Sequence, residues 1–446
     1  MAEQRAGLEA ARELLERSGI HTVECMFADT WGGPRGKRLP TKHFLKAAAG
    51  SGFAIANVAM TWDMHGVIFP TNFVNDTHGY PDMHVVPDLS SLRVAGWREG
   101  TAFCICDTIE PATHGPVALD GRAILRLTVE RVRTLGYEPC VATELEFHLC
   151  TPDWQPLYMG SHCYSIAKGA EVEPVVGDIR RALEVSGISV EACNVEYGPA
   201  QVEVNLCRGQ AIDVADATMV FKYVVKQVAV AHGLRATFMA KPYPTEAGNG
   251  LHIHMSLYGE DSRNAFSVED GEPPLRSRLM LRFLSGLIAH QLELQAINCP
   301  TINAYKRVED YSFAPTQVTW GLDNRLVAVR SVVEAGDATR LEARFASADA
   351  NPYHVITGCL AAGADGLVRD LDVPPMVTGD PHADASFRRI PTSLVEAIAE
   401  LEPSAFVRET YGEVFVDTFL AMLRHEVELF HRYVTDWERE RYREMM

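Results

Sequence analysis

The chain has 446 residues, 47% of them hydrophobic and 22% charged, with a formal net charge of −18. That length predicts two domains, and that composition a well-packed soluble protein instead of a disordered one. So acidic a balance opposes nucleic-acid binding, which needs a basic surface to displace counterions.

The amino-terminal run MAEQRAGLEAARELLERSG reads as a charged amphipathic helix and lacks the apolar segment of a signal peptide. No stretch reaches the roughly 18 apolar residues of a membrane span. The ten cysteines form no CxxC pair, Cys104 and Cys106 being nearest in sequence. That pattern fits neither a disulfide framework nor a zinc clasp, so a cytoplasmic protein away from membranes is expected. His21 to Asp29 reads as a strand, Trp31 to Gly36 as a turn, and 41–50 as a helix before a short apolar run at 51–60. Asp107 to Gly121 is rich in Pro, Thr, Gly and Asp and predicts a boundary between domains spanning 1–112 and 113–446. Beyond it, helices are expected over Arg122–Leu135, Gly177–Ser186, Ile212–His232 and Leu275–Asn298, alternating with strands in an α+β domain. The tail from Ser393 to Met446 reads as mostly helical, broken at Pro403.

Four segments carry polar side chains at every second position: Thr143–His148, Gln201–Asn205, His252–Ser256 and Arg340–Arg344. In a strand these share one face, leaving the apolar residues on the other. A lone Glu-x-Glu is usually a solvated face. Glu144 and Glu146 gain weight beside Glu196, Glu203, His252 and Glu342, because converging carboxylates repel and need compensation. Divalent cations supply it, and a mostly oxygen donor set points to Mg²⁺ or Mn²⁺. The loop Ala247-Gly248-Asn249-Gly250 allows close backbone approach to a ligand, although a plain turn reads the same way. Arg307, Arg325, Arg330, Arg340 and Arg344 fall close together in sequence, and guanidinium groups suit carboxylate and phosphate oxygens. Two cations with several arginines fit phosphoryl transfer from a nucleotide.

At this point the chain resembles glutamine synthetase along nearly its full length. The matching blocks are ATELEFHL (142–149), NVEYGPAQVEVNL (194–206), ATFMAKP (236–242), GNGLHIHMSL (248–257), PTINAYKR (300–307), FAPT with DNR (313–316 and 323–325), and RLEARFASADANPYHVITGCLAAGADGL (340–367). The resemblance implies an amino-terminal β-grasp domain followed by a catalytic domain with a curved antiparallel sheet. It further implies ATP as a substrate and two or three Mg²⁺ or Mn²⁺ ions. Stacked hexameric rings, a dodecamer, would place active sites between neighbouring subunits. Glu146, Glu196 and Glu203 match the first metal site, and Glu144, His252 and Glu342 the second. His254 and Ser256 match nucleotide contacts, joined by Glu191 and by Arg340 beside them. Arg307, Arg344 and Gly248 match the glutamate site. Arg325 and Arg330 match arginines near the transferring phosphate.

The departures concern specificity. The family's flap after the YKR motif reads Gly-Tyr-Glu-Ala-Pro, and its glutamate binds and deprotonates ammonium. Here the run is Asp310-Tyr311-Ser312-Phe313-Ala314-Pro315, with Phe313 in the glutamate's place. A phenyl ring accepts no proton and adds apolar surface worth ~2 kcal/mol when covered. Asp63 is the candidate for a second ammonium contact, contributed by a neighbouring subunit. Ala247 replaces an asparagine that contacts glutamate, and 372–391 lacks the tyrosine-bearing run used for adenylylation, so no control of that type is expected. The sequence therefore predicts a ligase joining glutamate to an amine other than ammonia. Open beside it stand an ordinary glutamine synthetase, a non-catalytic ring-forming relative and, more weakly, a guanidino-phosphorylating enzyme.

Overall fold

The computed structural model describes residues 2–267, 277–334 and 336–445. The start of the expected Leu275–Asn298 helix, residues 275 and 276, lies outside them.

Helix α1 (Ala2–Arg17) precedes a six-stranded sheet built from β1 (Thr22–Ala28), β2 (Pro34–Pro40), β3 (Phe53–Ala56), β4 (Asp82–Pro87), β5 (Arg93–Val94) and β6 (Thr101–Ile109). Its order is β2-β1-β6-β4-β3, with β5 beside β6. The pair β1–β6 is parallel, as a β-grasp-like topology requires. Helix α2 (Thr41–Ala49) buries Phe44. The expected Trp31–Gly36 turn is shorter than its composition indicates, because β2 already starts at Pro34. Proline is tolerated as the first residue of an edge strand. A Cβ on Gly36 would stand 1.8 Å from the Cys25 carbonyl oxygen, so the register of this pair requires glycine.

The larger sheet has nine strands: β7 (Glu138–Cys150), β8 (Val190–Val195), β9 (Gln201–Leu206), β10 (Gly209–Gln210), β11 (Arg235–Thr237), β12 (Gly250–Tyr258), β13 (Trp320–Leu322), β14 (Val329–Val332) and β15 (Arg340–Ser347). The main path runs β13-β14-β15-β12-β7-β9-β8. All four polar-striped segments lie in this path, on β7, β9, β12 and β15. Along β7, Val141, Leu145, Phe147 and Leu149 are fully buried. Phe147 packs edge-on against Phe221 of helix α5 (Ala211–Ala231), which covers that face after α3 (Gly121–Thr134) and α4 (Ile166–Val185). Covering a Phe or Leu side chain is worth about 1.5–3 kcal/mol, and this layer fixes which face β7 turns to the site.

Helix α4 runs well beyond the expected Gly177–Ser186. Gly169 and Pro174 mask its first turns in the sequence, yet Ser165 caps it by accepting from the Lys168 amide at 3.2 Å. Helices α6 (Arg278–His290) and α7 (Gln295–Asn298) divide the expected single helix. Helix α8 (Pro352–Val368) is capped by Asn351, whose amide also donates to the Asp29 and Thr30 carbonyls at 3.2 Å. The two sheets are further tied by Arg122 of α3, nearly fully buried, which binds Asp88, Asp107 and Asp216 at 2.7, 2.7 and 3.0 Å. The tail forms α9 (Leu394–Leu401), α10 (Ala405–Tyr411), α11 (Glu413–Arg432) and α12 (Asp436–Tyr442), with Pro403 in the break between the first two. All ten cysteines are free thiols. Among the described residues no helix is long and apolar enough to cross a membrane.

Candidate functional site

Strand register assembles the site. Glu144 stands opposite His252 on one side and Asn205 on the other, and Glu146 opposite Glu203. Glu342 stands opposite both His254 and Arg330. Two bulges refine the pattern: β12 shifts register against β15 at His252, and β8 shifts against β9 at Glu191. A bulge re-aims one side chain beside a site. His252 and His254, two residues apart on β12, both reach the same carboxylate, Glu144, at 2.8 and 3.4 Å.

Glu144, His252 and Glu342 each present a ligand atom, and these atoms lie within 4.8 Å of one another. His252 Nδ1 is 3.5 Å from Glu342 Oε1, while Arg344 also bonds Glu342 and Arg330 donates to it at 2.9 Å. Burial alone would raise the Glu342 carboxyl, but Arg344, His252 and His254 together hold it at about 2. Burial likewise works against ionised Glu144, yet bonds and charges of His252 and His254 keep it far below the carboxylate range. Glu203 shows the reverse. Burial, then the charges of Glu144, Glu146 and Glu196, push it up to about 10. Glu196 is raised by burial and by Glu146. A set of carboxylates repelling in this way, rich in oxygen and with one imidazole, fits divalent cations of the Mg²⁺ or Mn²⁺ type.

Glu146 is oriented from behind: the Gly250 amide donates to it at 2.6 Å and Gln201 Nε2 at 3.1 Å. Gln201 also reaches the Gly248 carbonyl at 2.9 Å and Asn249 Oδ1 at 3.1 Å. His148 Nδ1 donates to the same Asn249 oxygen at 2.9 Å, and burial lowers its pKa to about 4, so this histidine is a neutral brace. Gly250 is a place where close approach matters. A Cβ there would stand 2.6 Å from Arg307 Nη2 and 2.9 Å from His252 Nε2. The Arg307 side chain is only 6% exposed, and no described residue accepts a hydrogen bond from its guanidinium. It is a buried cation suited to an anionic ligand.

Beyond Glu144 the stripe opens into a cavity of about 880 Å³ lined by Glu144, Glu191, Asn205, His254, Ser256 and Arg340. Glu191, His254, Ser256 and Arg340 are the nucleotide contacts implied by the resemblance, and Glu144 joins this cavity to the acidic cluster. Arg340 Nε lies 3.3 Å from His254 Nδ1. Arg330 is engaged by Asp323 as well as Glu342, while Arg325 is exposed on the loop beyond β13.

The flap holds Tyr311 and Phe313 at φ 67° and 60°, left-handed values that cost non-glycine residues about 1–3 kcal/mol each. The Phe313 ring is half-exposed and lies 6.2 Å from the ring of Tyr197. Tyr197 follows Glu196, to which its amide donates at 3.1 Å. The flap ring thus stands beside the side chain of the residue that follows Glu196. Asp63 is elsewhere: buried, it accepts from the His65 and Val67 amides at 2.9 and 2.7 Å and faces His425 of α11 at 3.9 Å.

Among residues with no role in the sequence reading, Asn205 donates to Glu144 at 2.8 Å and Asn194 to Glu196 at 2.8 Å. Asn205 sits on the same alternating stripe as Glu203, so the periodicity contained it. Tyr197 and Cys163 lie on loops, where no period marks them.

The profile of the glutamine synthetase catalytic domain matches residues 118–442. The chain is 33% identical to a glutamate–isopropylamine ligase of Pseudomonas sp., over 99% of this chain and 98% of that one. It is 35% identical to a gamma-glutamylethanolamide synthetase of Streptomyces coelicolor, over 99% and 96%. The solved structure of a GmaS/ADP complex superposes with a TM-score of 0.85 at 28% identity, covering 98% of each chain. Sequence profile, fold and relatives agree that the chain belongs to the glutamine synthetase family of ligases.

Proposed function

We propose that this protein is an ATP-dependent ligase that joins the γ-carboxylate of glutamate to an organic amine other than ammonia. The observation that carries the reading is Phe313, an apolar ring beside Tyr197, the residue after Glu196, at the flap position where the resemblance to glutamine synthetase implies a glutamate. Support also comes from two relatives whose names specify isopropylamine and ethanolamide chemistry. For the nucleotide, support comes from the ADP complex of a structural relative.

In this reading the cavity lined by Glu191, His254, Ser256 and Arg340 receives ATP. Arg307, Arg344 and the Gly248 loop hold glutamate, with the buried Arg307 guanidinium supplying the desolvated positive charge for a carboxylate. Glu144, His252 and Glu342, with Glu146, Glu196 and Glu203, would hold two or three Mg²⁺ or Mn²⁺ ions. Bound there, the ions neutralise phosphoryl oxygens and act as Lewis acids. Arg325 and Arg330 flank the transferring phosphoryl group. Transfer to the γ-carboxylate gives γ-glutamyl phosphate and ADP; amine nitrogen then attacks the acyl carbon, the C–O bond to phosphate breaks, and the amine loses a proton. Without a flap carboxylate to take that proton, the site favours amines carrying an apolar substituent or arriving neutral. We place residues 1–112 and 113–446 in separate domains of a cytoplasmic homo-oligomer, two stacked hexameric rings, in which Asp63 approaches a neighbour's site.

Phosphate release from ATP with Mg²⁺ or Mn²⁺ and glutamate, across ammonia, short alkylamines, ethanolamine, polyamines and anilines, tests the reading. Mass detection of one γ-glutamylamide, with little turnover of ammonia, is the expected result. Ammonia as best substrate would return the chain to glutamine synthesis.

A further inference from the structure

The stretch 372–391, which lacks the tyrosine-bearing run of the family, is bonded to the flap at two levels. At the flap's exit, the Val318 amide donates to the Arg388 carbonyl at 2.8 Å and the Ile390 amide to the Thr316 carbonyl at 2.9 Å. Nearer the tip, Asp310 accepts from Thr316 Oγ1 at 2.6 Å and from Arg389 Nη2 at 2.9 Å. The bonds from Thr316 and Arg389 hold its carboxyl below the usual carboxylate range.

His382 lies at the centre of this contact, its side chain 10% exposed. Nδ1 is 2.7 Å from Asp380 Oδ1, while Nε2 is 3.2 Å from Thr316 Oγ1 and 3.4 Å from Asp310 Oδ1. The Thr316 hydroxyl gives its hydrogen to Asp310, so its oxygen accepts from Nε2. Both ring nitrogens therefore face acceptors, and the Tyr311 ring lies 4.7 Å from the imidazole. The backbone supplies an independent observation. Tyr311 and Phe313 are both left-handed, and non-glycine residues keep that conformation only where their surroundings over-determine it. Both rings are exposed, and the flap's ring contacts outside itself are Tyr311 with His382 and Phe313 with Tyr197.

We propose that His382 is a positioning residue for the amine site: held between Asp380 and the Asp310–Thr316 pair, it fixes the flap in the conformation that turns Phe313 toward Tyr197. This rests on the reading that Phe313 sets amine choice. The effect of His382 on the amine passes through Phe313.

The test is His382→Ala, which keeps the backbone bond from residue 382 to Asp380 and so the local turn. Steady-state phosphate release should show KM for the preferred organic amine raised at least roughly tenfold, with KM for ATP and glutamate unchanged and kcat within about twofold. In a Phe313→Ala background the same substitution should raise the amine KM no further, a pattern that general loosening of the fold would not reproduce. Chymotrypsin cutting after Tyr311 and Phe313, followed by mass spectrometry without substrate, should be at least roughly tenfold faster in His382→Ala. Asp310→Asn, which weakens the contact from the flap side, should reproduce both changes. Unchanged cutting, an unchanged amine KM, or an equal further loss in the Phe313→Ala background overturns the positioning role. Ammonia as the preferred substrate of the unaltered protein overturns the amine reading instead, and the cutting rates then decide whether His382 holds the flap.

Discussion

The flap ring of Phe313 lies 6.2 Å from the ring of Tyr197, whose own amide is bonded to Glu196. One aromatic pair therefore connects the flap, to which we attribute amine choice, to the residue that follows Glu196 of the acidic cluster. Phe313→Glu restores a proton acceptor at this place. Because a positioned general base is worth about 10²–10⁴-fold, the variant is expected to gain at least tenfold in kcat/KM for ammonia and to lose activity with the preferred organic amine. Tyr197→Ala should raise KM for the organic amine and leave ammonia use unchanged. Steady-state phosphate release with both amines checks this, and an unaltered ammonia rate in Phe313→Glu would contradict the assignment.

Gly250→Ala tests the close approach of backbone and guanidinium. The new methyl displaces Arg307 Nη2 and His252 Nε2, both far ends of side chains, so folding should survive. A misplacement of about 1 Å costs about 10²-fold in rate. The expected variant melts near the parent temperature and loses about 100-fold in kcat/KM for glutamate.

Metal removal should change how stability depends on pH. The Glu203 carboxyl, raised to about 10, contributes stability present below its ordinary range and lost as pH rises through about 10. Metal-free protein should therefore melt at progressively lower temperature between about pH 5 and 9, and added Mn²⁺ should flatten the trend. Glu342, held at about 2, acts in the other direction: its contribution is lost only as pH falls toward that value. A metal-free melting temperature that is level with pH and indifferent to Mn²⁺ would contradict this account.

Arg122→Met removes the cation shared by Asp88, Asp107 and Asp216. Asp216 is buried, and Tyr353 also donates to it at 2.6 Å. Breaking a buried ion pair from one side costs about 3–5 kcal/mol. Urea denaturation should show a loss of that size, with the small sheet loosening from α3 and α5.

The period of two in the sequence located the strands that matter, because Glu144, Glu146, Glu203, His252 and Glu342 alternate with apolar residues that are buried on the other face. Fold class followed from motifs of the same strands. What periodicity cannot contain is a departure from it. The bulges insert an extra residue into β15 opposite His252 and into β8 at Glu191, and nothing in composition marks them. Loop residues were hidden for a related reason: Cys163 and Tyr197 gain their neighbours only when distant strands meet. Helix α4 was under-read because Gly169 and Pro174 signal a break that its capping and packing outweigh.

Glu144 and Glu146 occupy successive same-face positions of β7 and belong to different proposed metal positions. Two residues of extended chain span about 6.7 Å, so one strand acts as a ruler that sets the spacing of the two sites. No side-chain replacement can lengthen that ruler, and a single inserted residue would turn one of the two carboxylates into the helix-covered core. Variation in such a protein is therefore free at the flap and the rim and forbidden along β7. On the proposed reading, a substitution at the flap alters amine choice while the separation set by β7 stays constant.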